Sequence, residues 1–526
     1  MKTQRKANKF ITGGLIALLG VAIVLTLFAV FNQSNNQVVP SMPPLGDYWP
    51  TEVWKTSTPE EQGIDSAKLA EGLLAIKENG TRIHSLLLIR DGRLFLDAYF
   101  YPYDGNSVHD LASVTKSITT TLVGIAVSQG QLSLDDPMLS FFPDIAITHP
   151  DPRLDKVTVR HLVMMANGLE STGAEQDEAT LAKMESSSDW LKIAVDRPMA
   201  YEPGTKFVYD SPGMHILSGI IQNRTGMTEL EFGRQYLFGP LGIKDVIWPA
   251  DPQGYTHGFG NICLHPRDAA KIGYLWLNMG MWDGKQIVSS EWVAETFKTQ
   301  IKTGMGENYS YGWWTNENEG AVETIFAVGR GGQYIQVVPF ANVVIVVTGS
   351  NLEYDEIEPY ILAAVVDLED PLPPNPKGMA KLDEALKTIQ QAPPAQAVPA
   401  LPEIARTISG KTYLFDPNPM HIQSVRFDFD GSTEAGIEMT FDHTGEKYSG
   451  RIGLDGVFRM TPGENGLPAG MRGHWDEEDK FIMDLETIAN REAFIYVIQF
   501  RSDQVTMEIR EGSHESGAKI TGIAAP

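Results

Sequence analysis

Ser113-Val114-Thr115-Lys116 sets a hydroxyl and an amine three residues apart. At that spacing both side chains share one face of a helix. A serine hydroxyl is a weak nucleophile at its ordinary pKa and needs a base beside it. A lysine amine can be that base where burial or a neighbouring cation favours its neutral form. Backbone N–H groups at a helix start would also face a developing oxyanion. Serine is equally a common helix cap, so Ser113 alone carries two readings. A second S-x-x-K, Ser516-Gly517-Ala518-Lys519, lies in a polar tail with no apolar helix after it and reads as chance. Tyr209-Asp210-Ser211 follows Glu202-Pro203-Gly204 and Phe207. A tyrosine near a cation can take and return a proton, or it can be a half-buried structural residue. Gly329-Arg330-Gly331-Gly332-Gln333 lies between two apolar runs. Its glycines either let a substrate lie against a strand edge or form a simple hairpin turn.

These residues need elements to hold them. Residues 113–129 carry Ile118, Leu122, Ile125 and Ala126 at helical spacing, with Gly130 as the stop. Residues 212–223 and 268–279 also read as helices. Residues 85–89 and 94–100 flank Asp91-Gly92 and read as a hairpin. Residues 325–328, 334–338 and 343–348 read as strands. Without a regular alternation of strand and helix, the expectation is a sheet with helical additions, not a Rossmann unit. From 371 to 402 the chain is proline-rich and reads as an interdomain linker, with a short helix within it at 380–391. From 403 onward, short period-two runs (425–429, 452–454, 481–485, 493–500, 505–509), the first two each followed by Asp-Gly, predict an all-β barrel or sandwich.

Lys2, Arg5, Lys6 and Lys9 precede a charge-free apolar run at 10–31. The run is long enough to cross a bilayer, and no clear A-x-A site follows it. The expectation is an uncleaved signal anchor in residues 1–36, with a cleaved signal peptide as the alternative. The basic flank would stay inside. That makes the protein single-pass in the cell membrane, its remainder extracytoplasmic, with residues 37–58 as a tether. The 526 residues carry a formal charge of −25, which argues against a nucleic-acid partner. Cys263 is the one cysteine, so no intrachain disulfide and no Cys-rich zinc site can form. Cys263 with His265 reads as coincidence, and His149, His161 and His257 lack metal-ligand spacing. Asp428-Phe429-Asp430-Gly431 resembles the start of a calcium loop but lacks the later carboxylates. G-x-S-x-G, P-loop and H-E-x-x-H motifs are absent. No metal or organic cofactor is expected. Tyr311-Gly312-Trp313-Trp314 is read chiefly as core, with a pocket edge as the alternative.

The motifs taken in order resemble the serine β-lactamase and penicillin-recognising family, in its class C branch. The matching residues are Ser113-Val114-Thr115-Lys116-Ser117, Thr158-Val159-Arg160-His161-Leu162, Asn167-Gly168-Leu169, Tyr209-Asp210-Ser211, Pro240-Leu241-Gly242-Ile243, Pro266-Arg267-Asp268-Ala269-Ala270-Lys271-Ile272-Gly273 and Gly331-Gly332-Gln333-Tyr334. Residues 241–248, 266–273 and 311–314 are most similar to the 6-aminohexanoate-dimer hydrolases and related esterases. The resemblance implies an α/β (α+β) fold over 59–370: an antiparallel sheet flanked by helices, plus an all-helical subdomain. The barrel-like domain at 403–526 would be an appendix without a catalytic role. It further implies that Ser113 is the acylated nucleophile and that Lys116 and Tyr209 manage its proton. Arg330-Gly331-Gly332 would line the site where relatives carry K-T-G or H-x-G. Gln333 would give the second oxyanion N–H beside that of Ser113. Two departures stand out: Ser211 replaces a common asparagine, and Arg330 replaces lysine or histidine. Arginine binds carboxylates bidentately, so an anionic substrate end stays compatible. The resulting expectation is a serine hydrolase of small amides, peptides or esters. The rivals are a D-alanyl carboxypeptidase or β-lactamase, and a non-catalytic binding module on the same fold. Oligomeric state is left open.

Overall fold

A computed structural model describes residues 48–171, 177–318, 321–441, 447–463, 466–501, 503–511 and 517–525. The apolar run at 10–31 lies outside them. Among the described residues, no helix is long and apolar enough to cross a membrane.

The larger domain is built on an eight-stranded antiparallel sheet. Its strands are β1 (Ile83–Arg90), β2 (Arg93–Tyr99), β5 (Ile301–Lys302), β6 (Asn308–Ser310), β7 (Trp313–Asn318), β8 (Ala321–Gly329), β9 (Gln333–Val338) and β10 (Val343–Gly349). A separate two-stranded pair joins β3 (His109–Asp110) to β4 (Cys263–Leu264). The order across the main sheet is β2-β1-β10-β9-β8-β7-β6-β5. The Asp91-Gly92 turn has φ of 49° and 68°, the doubly positive geometry that tight hairpins prefer. In β1, Leu87 and Ile89 face one core and Leu86 and Leu88 another, following the period of two. Both faces are covered, so the strand reads as a continuous apolar run. One face packs on α2 (Val114–Ser128) and α4 (Pro266–Leu277). The other packs on α1 (Ser66–Glu78) and α5 (Pro376–Gln390). The short helices at Val159–Val163 and Trp190–Val195, with α3 (Ser211–Thr225), form the helical part beside the sheet.

Helix α5 falls within the segment expected to be a linker. Asn375 caps it by accepting from Gly378 N at 2.9 Å, and proline opens its first turn. Leu382, Ala385 and Ile389 then form a buried stripe against the larger domain. The segment is thus partly docked structure.

The C-terminal domain is a barrel. Its strands are β11 (Thr412–Phe415), β12 (Ile422–Phe429), β13 (Glu434–Phe441), β14 (Lys447–Gly453), β15 (Arg459–Pro462), β16 (Pro468–Glu477), β17 (Lys480–Glu486), β18 (Ala493–Arg501), β19 (Gln504–Glu511) and β20 (Ala518–Ala524). A pairing of β14 with β16 closes nine of them into a ring, and β15 lies against β16. Inward residues such as Tyr413, Phe427, Phe481, Met483 and Phe500 fill the interior, which is a core and not a ligand chamber.

The two domains share buried contacts. Glu486 of the barrel meets Arg82 Nη1 at 2.6 Å, Ser350 Oγ at 2.6 Å and His84 Nε2 at 3.4 Å. His109 Nδ1 donates to Asp110 O at 2.7 Å, so its Nε2 accepts from His84 Nδ1 at 2.8 Å. Burial, with His84 alongside, holds His109 well below the usual imidazole range. Burial alone would raise Glu486, but His84 and Arg82 hold it below the usual carboxylate range. The β17–β18 loop carries Ile488 and Ala489, both buried in the core of the larger domain.

Candidate active site

Ser113 occupies the N-cap of α2, yet its hydroxyl makes no capping bond. It accepts instead from Lys116 Nζ at 2.8 Å. That separates the two readings of the residue: the oxygen is engaged by the amine, not spent on the helix. Lys116 is 3% exposed, and its Nζ also donates to Phe259 O at 2.8 Å. The Tyr209 ring lies 4.8 Å from the same nitrogen, centroid to Nζ. The Lys116 amine therefore meets both the Ser113 hydroxyl and the Tyr209 ring.

Helix α2 is rich in buried hydroxyls, which anchor it to the loops around the site. Thr119 Oγ1 donates to Gly258 O at 2.8 Å and Ser117 Oγ to Gly312 O at 2.6 Å. Thr115 Oγ1 accepts from Ile262 N at 3.3 Å. These bonds fix the 258–262 loop, which supplies the Phe259 carbonyl to Lys116. Gly312 has φ of 87° and sits where a Cβ would lie 2.0 Å from Thr120 Oγ1, so only glycine permits this approach.

Tyr209 is held from behind. Its neighbour Asp210 is buried and paired with Arg197 at 2.7 and 2.9 Å, and it accepts from Asn167 Nδ2 at 2.8 Å. The Tyr209 ring stacks on Trp314, centroids 6.3 Å apart and planes at 18°. Ser211 opens α3, buried at the cavity wall. Trp314 also lines the cavity, whereas Trp313 is fully buried and Tyr311 packs on Trp292. The Tyr311–Trp314 cluster thus divides between pocket and core.

The cavity over Ser113 measures about 560 Å³. Strand β8 forms one side, where a Cβ on Gly329 would lie 2.3 Å from Leu111 O. Val328 and Arg330 reach the cavity. Gln333 does not line it. Its side chain is buried, donating to Gly349 O at 2.8 Å and Arg330 O at 3.2 Å. Gly331 and Gly332 form the turn with φ of 85° and 92°, backed by Arg491 and Leu352 respectively, and are not part of the wall. The reason is register: a three-residue turn separates Gly329 from its partner Gln333, so the wall ends at Arg330. Arg330 is not a lone substrate cation either. It is ion-paired with Glu492 and lies 4.0 Å from Glu511, both from the barrel.

Three residues at the site gave no sequence signal. Asp110 accepts Ala112 N at 2.6 Å; Asn261, with φ of 68°, reaches Asp110 at 3.4 Å; Arg491 comes from the barrel. Each acts through contacts between distant segments. Cys263 is buried in β4, where its thiol donates to Asn261 O at 3.7 Å, while His265 lies 3.5 Å from Asp245. His257 hydrogen-bonds Asn261 at 3.3 Å and stacks on Trp190, and burial pushes it down to about 4. Among the described residues, no group of three or more His, Cys, Asp or Glu could hold a metal ion.

The Beta-lactamase family model matches residues 75–367. A 6-aminohexanoate-dimer hydrolase of Paenarthrobacter ureafaciens is 24% identical over 329 residues, 57% of this chain and 82% of the relative. An uncharacterised protein of Alkalihalophilus pseudofirmus is 30% identical over 201 residues, 34% of this chain and 52% of that one, so about half its length is spanned. Among solved structures, the octameric penicillin-binding protein homologue of Pyrococcus abyssi is matched at 18% identity and a TM-score of 0.47, over 87% of this chain and all of that one.

Proposed function

The chain belongs to the beta-lactamase family, and from that premise we propose that it is a serine hydrolase opening a small amide, peptide or ester through an acyl-enzyme on Ser113. The observation that carries this reading is the 2.8 Å contact between Lys116 Nζ and Ser113 Oγ at the floor of an open cavity. Ser113 Oγ bonds to the carbonyl carbon as its proton passes to Lys116. The backbone N–H of Ser113, and that of Arg330 in place of Gln333, stabilise the oxyanion. Collapse breaks the bond to the leaving group, which takes a proton back from Lys116 or Tyr209. Water then repeats the sequence on the acyl group and frees Ser113. The small amide cleaved by the Paenarthrobacter relative, as its name describes, supports this substrate class. The location follows from sequence: four basic residues and a 22-residue uncharged run support a membrane anchor with the remainder extracytoplasmic.

Intact-mass analysis of the full chain after a fluorophosphonate, and separately after a penicillin, tests the proposal. A fluorophosphonate adduct on the wild type that vanishes in Ser113→Ala is expected. Lys116→Met should slow that labelling about 10²–10⁴-fold. No adduct on folded protein would sink the hydrolase and leave a binding module. A lasting penicillin adduct would move the substrate to cell-wall peptides.

A further inference from the structure

We propose that the barrel's β17–β18 loop positions the nucleophile, with Arg491 as the positioning residue acting through Asp110. This rests on the reading of Ser113 as the acylated serine.

The residue before Ser113 is strained. Ala112 has φ of 47°, a left-handed conformation that a side chain disfavours. Something must hold it there. Its N–H donates to Asp110 Oδ1 at 2.6 Å, and the other oxygen, Oδ2, receives Arg491 Nη1 at 3.0 Å. The Asp110 side chain is only 6% exposed, so its charge needs the cation the barrel delivers. The same loop grips the backbone: Asp110 N donates to Ala489 O at 2.9 Å. It also backs the β8–β9 turn just past Arg330, where the opposite wall ends, since a Cβ on Gly331 would lie 2.3 Å from Arg491 O. The loop is itself anchored, with Ile488 and Ala489 at 1% and 0% exposure. Both sides of the cavity, the Ser113 turn and the β8–β9 turn, therefore rest on one hairpin of the second domain. Arg491 also lines the cavity, so a direct contact with substrate is the alternative to be separated.

The test uses the full chain and two readouts: the rate of Ser113 modification by a fluorophosphonate, and kcat and KM for a neutral p-nitrophenyl ester. Arg491→Met should slow labelling and lower kcat about 10–100-fold, with KM within about twofold. Arg491→Lys, which keeps the cation, should recover most of the loss. The double variant Asp110→Asn/Arg491→Met should be no slower than the slower single, because both act on one turn. Tyr101→Phe removes a different interdomain bond, Phe458 N to Tyr101 Oη at 3.1 Å, and should leave both readouts unchanged. If Arg491→Met does not fold, folded Arg491→Gln carries the same expectation. Labelling at the wild-type rate overturns the proposal. So does a raised KM with kcat intact, or losses that multiply in the double variant. A wild type not labelled at Ser113 overturns the nucleophile reading and the proposal with it, a result distinct from equal labelling of wild type and variants.

Discussion

At the residue scale, the side chains around Ser113 are held in place by fixed neighbours. Lys116 has no room to wander, and Tyr209 is set by the residue beside it. Asp210, between Tyr209 and Ser211, faces away from the cavity into a buried pair with Arg197. Removing one partner of such a pair leaves a buried charge alone, which costs about 3–5 kcal/mol. Arg197→Met is therefore expected to lower the unfolding free energy from urea melts by that amount. In the protein that still folds, it should also weaken Tyr209-dependent turnover more than Ser113 labelling. Ser113 and Lys116 were legible in the sequence because one helical turn holds both. Gln333 was misplaced because a glycine run does not reveal how many of its residues the turn consumes. Arg330 looked available to a carboxylate because its partner Glu492 lies 162 positions later in the chain.

At the element scale, α2 is positioned by its own polar residues, which a search for apolar periodicity passes over. Its helix was readable from Ile118, Leu122 and Ile125; the carbonyls taken up by Thr119 and Ser117 were not, because they belong to loops far away in sequence. The same crowding encloses Glu229, fully buried beside Thr119 of α2 and Ser218 of α3, and burial pushes it up to about 8. The sign follows from the two states. Below about pH 4.5 the carboxyl is protonated folded or unfolded and contributes nothing to pH dependence. Between about 4.5 and 8 only the unfolded chain releases the proton, so stability falls as pH rises, by about 1.4 kcal/mol per unit. Above about 8 the loss is complete. Glu229→Gln should flatten this component. Urea melts at pH 4.5, 6 and 8 should show the variant gaining on the wild type at each step, and parallel curves would refute the assignment.

At the scale of the whole molecule, the barrel is a neighbour of the chemistry and not a distant appendix. Its strands were readable from alternation and Asp-Gly turns, yet nothing local in the sequence placed a β17–β18 loop against Ser113. Coupling between the domains also runs through Glu486, which serves Arg82, His84 and Ser350 at once. With that junction intact, calorimetry of the wild type should give one cooperative transition. Glu486→Gln removes the carboxylate shared by Arg82, Ser350 and His84 and leaves Arg82 with Asp484, at 3.4 Å. It should cost about 1.5–3 kcal/mol and split the trace into two transitions. A single unshifted peak would show that the junction does not couple the domains.

The pairing of Asp110 with Cys263 across β3 and β4 has one more consequence. The only thiol in the chain is shut away behind the turn that carries Ser113, at 3% exposure. A thiol reagent reaches it only when the cover of Val108, Ile247 and Leu467 opens. Its trapping rate is then a native clock for opening beside the Ser113 turn, readable without a substrate and without introducing a label.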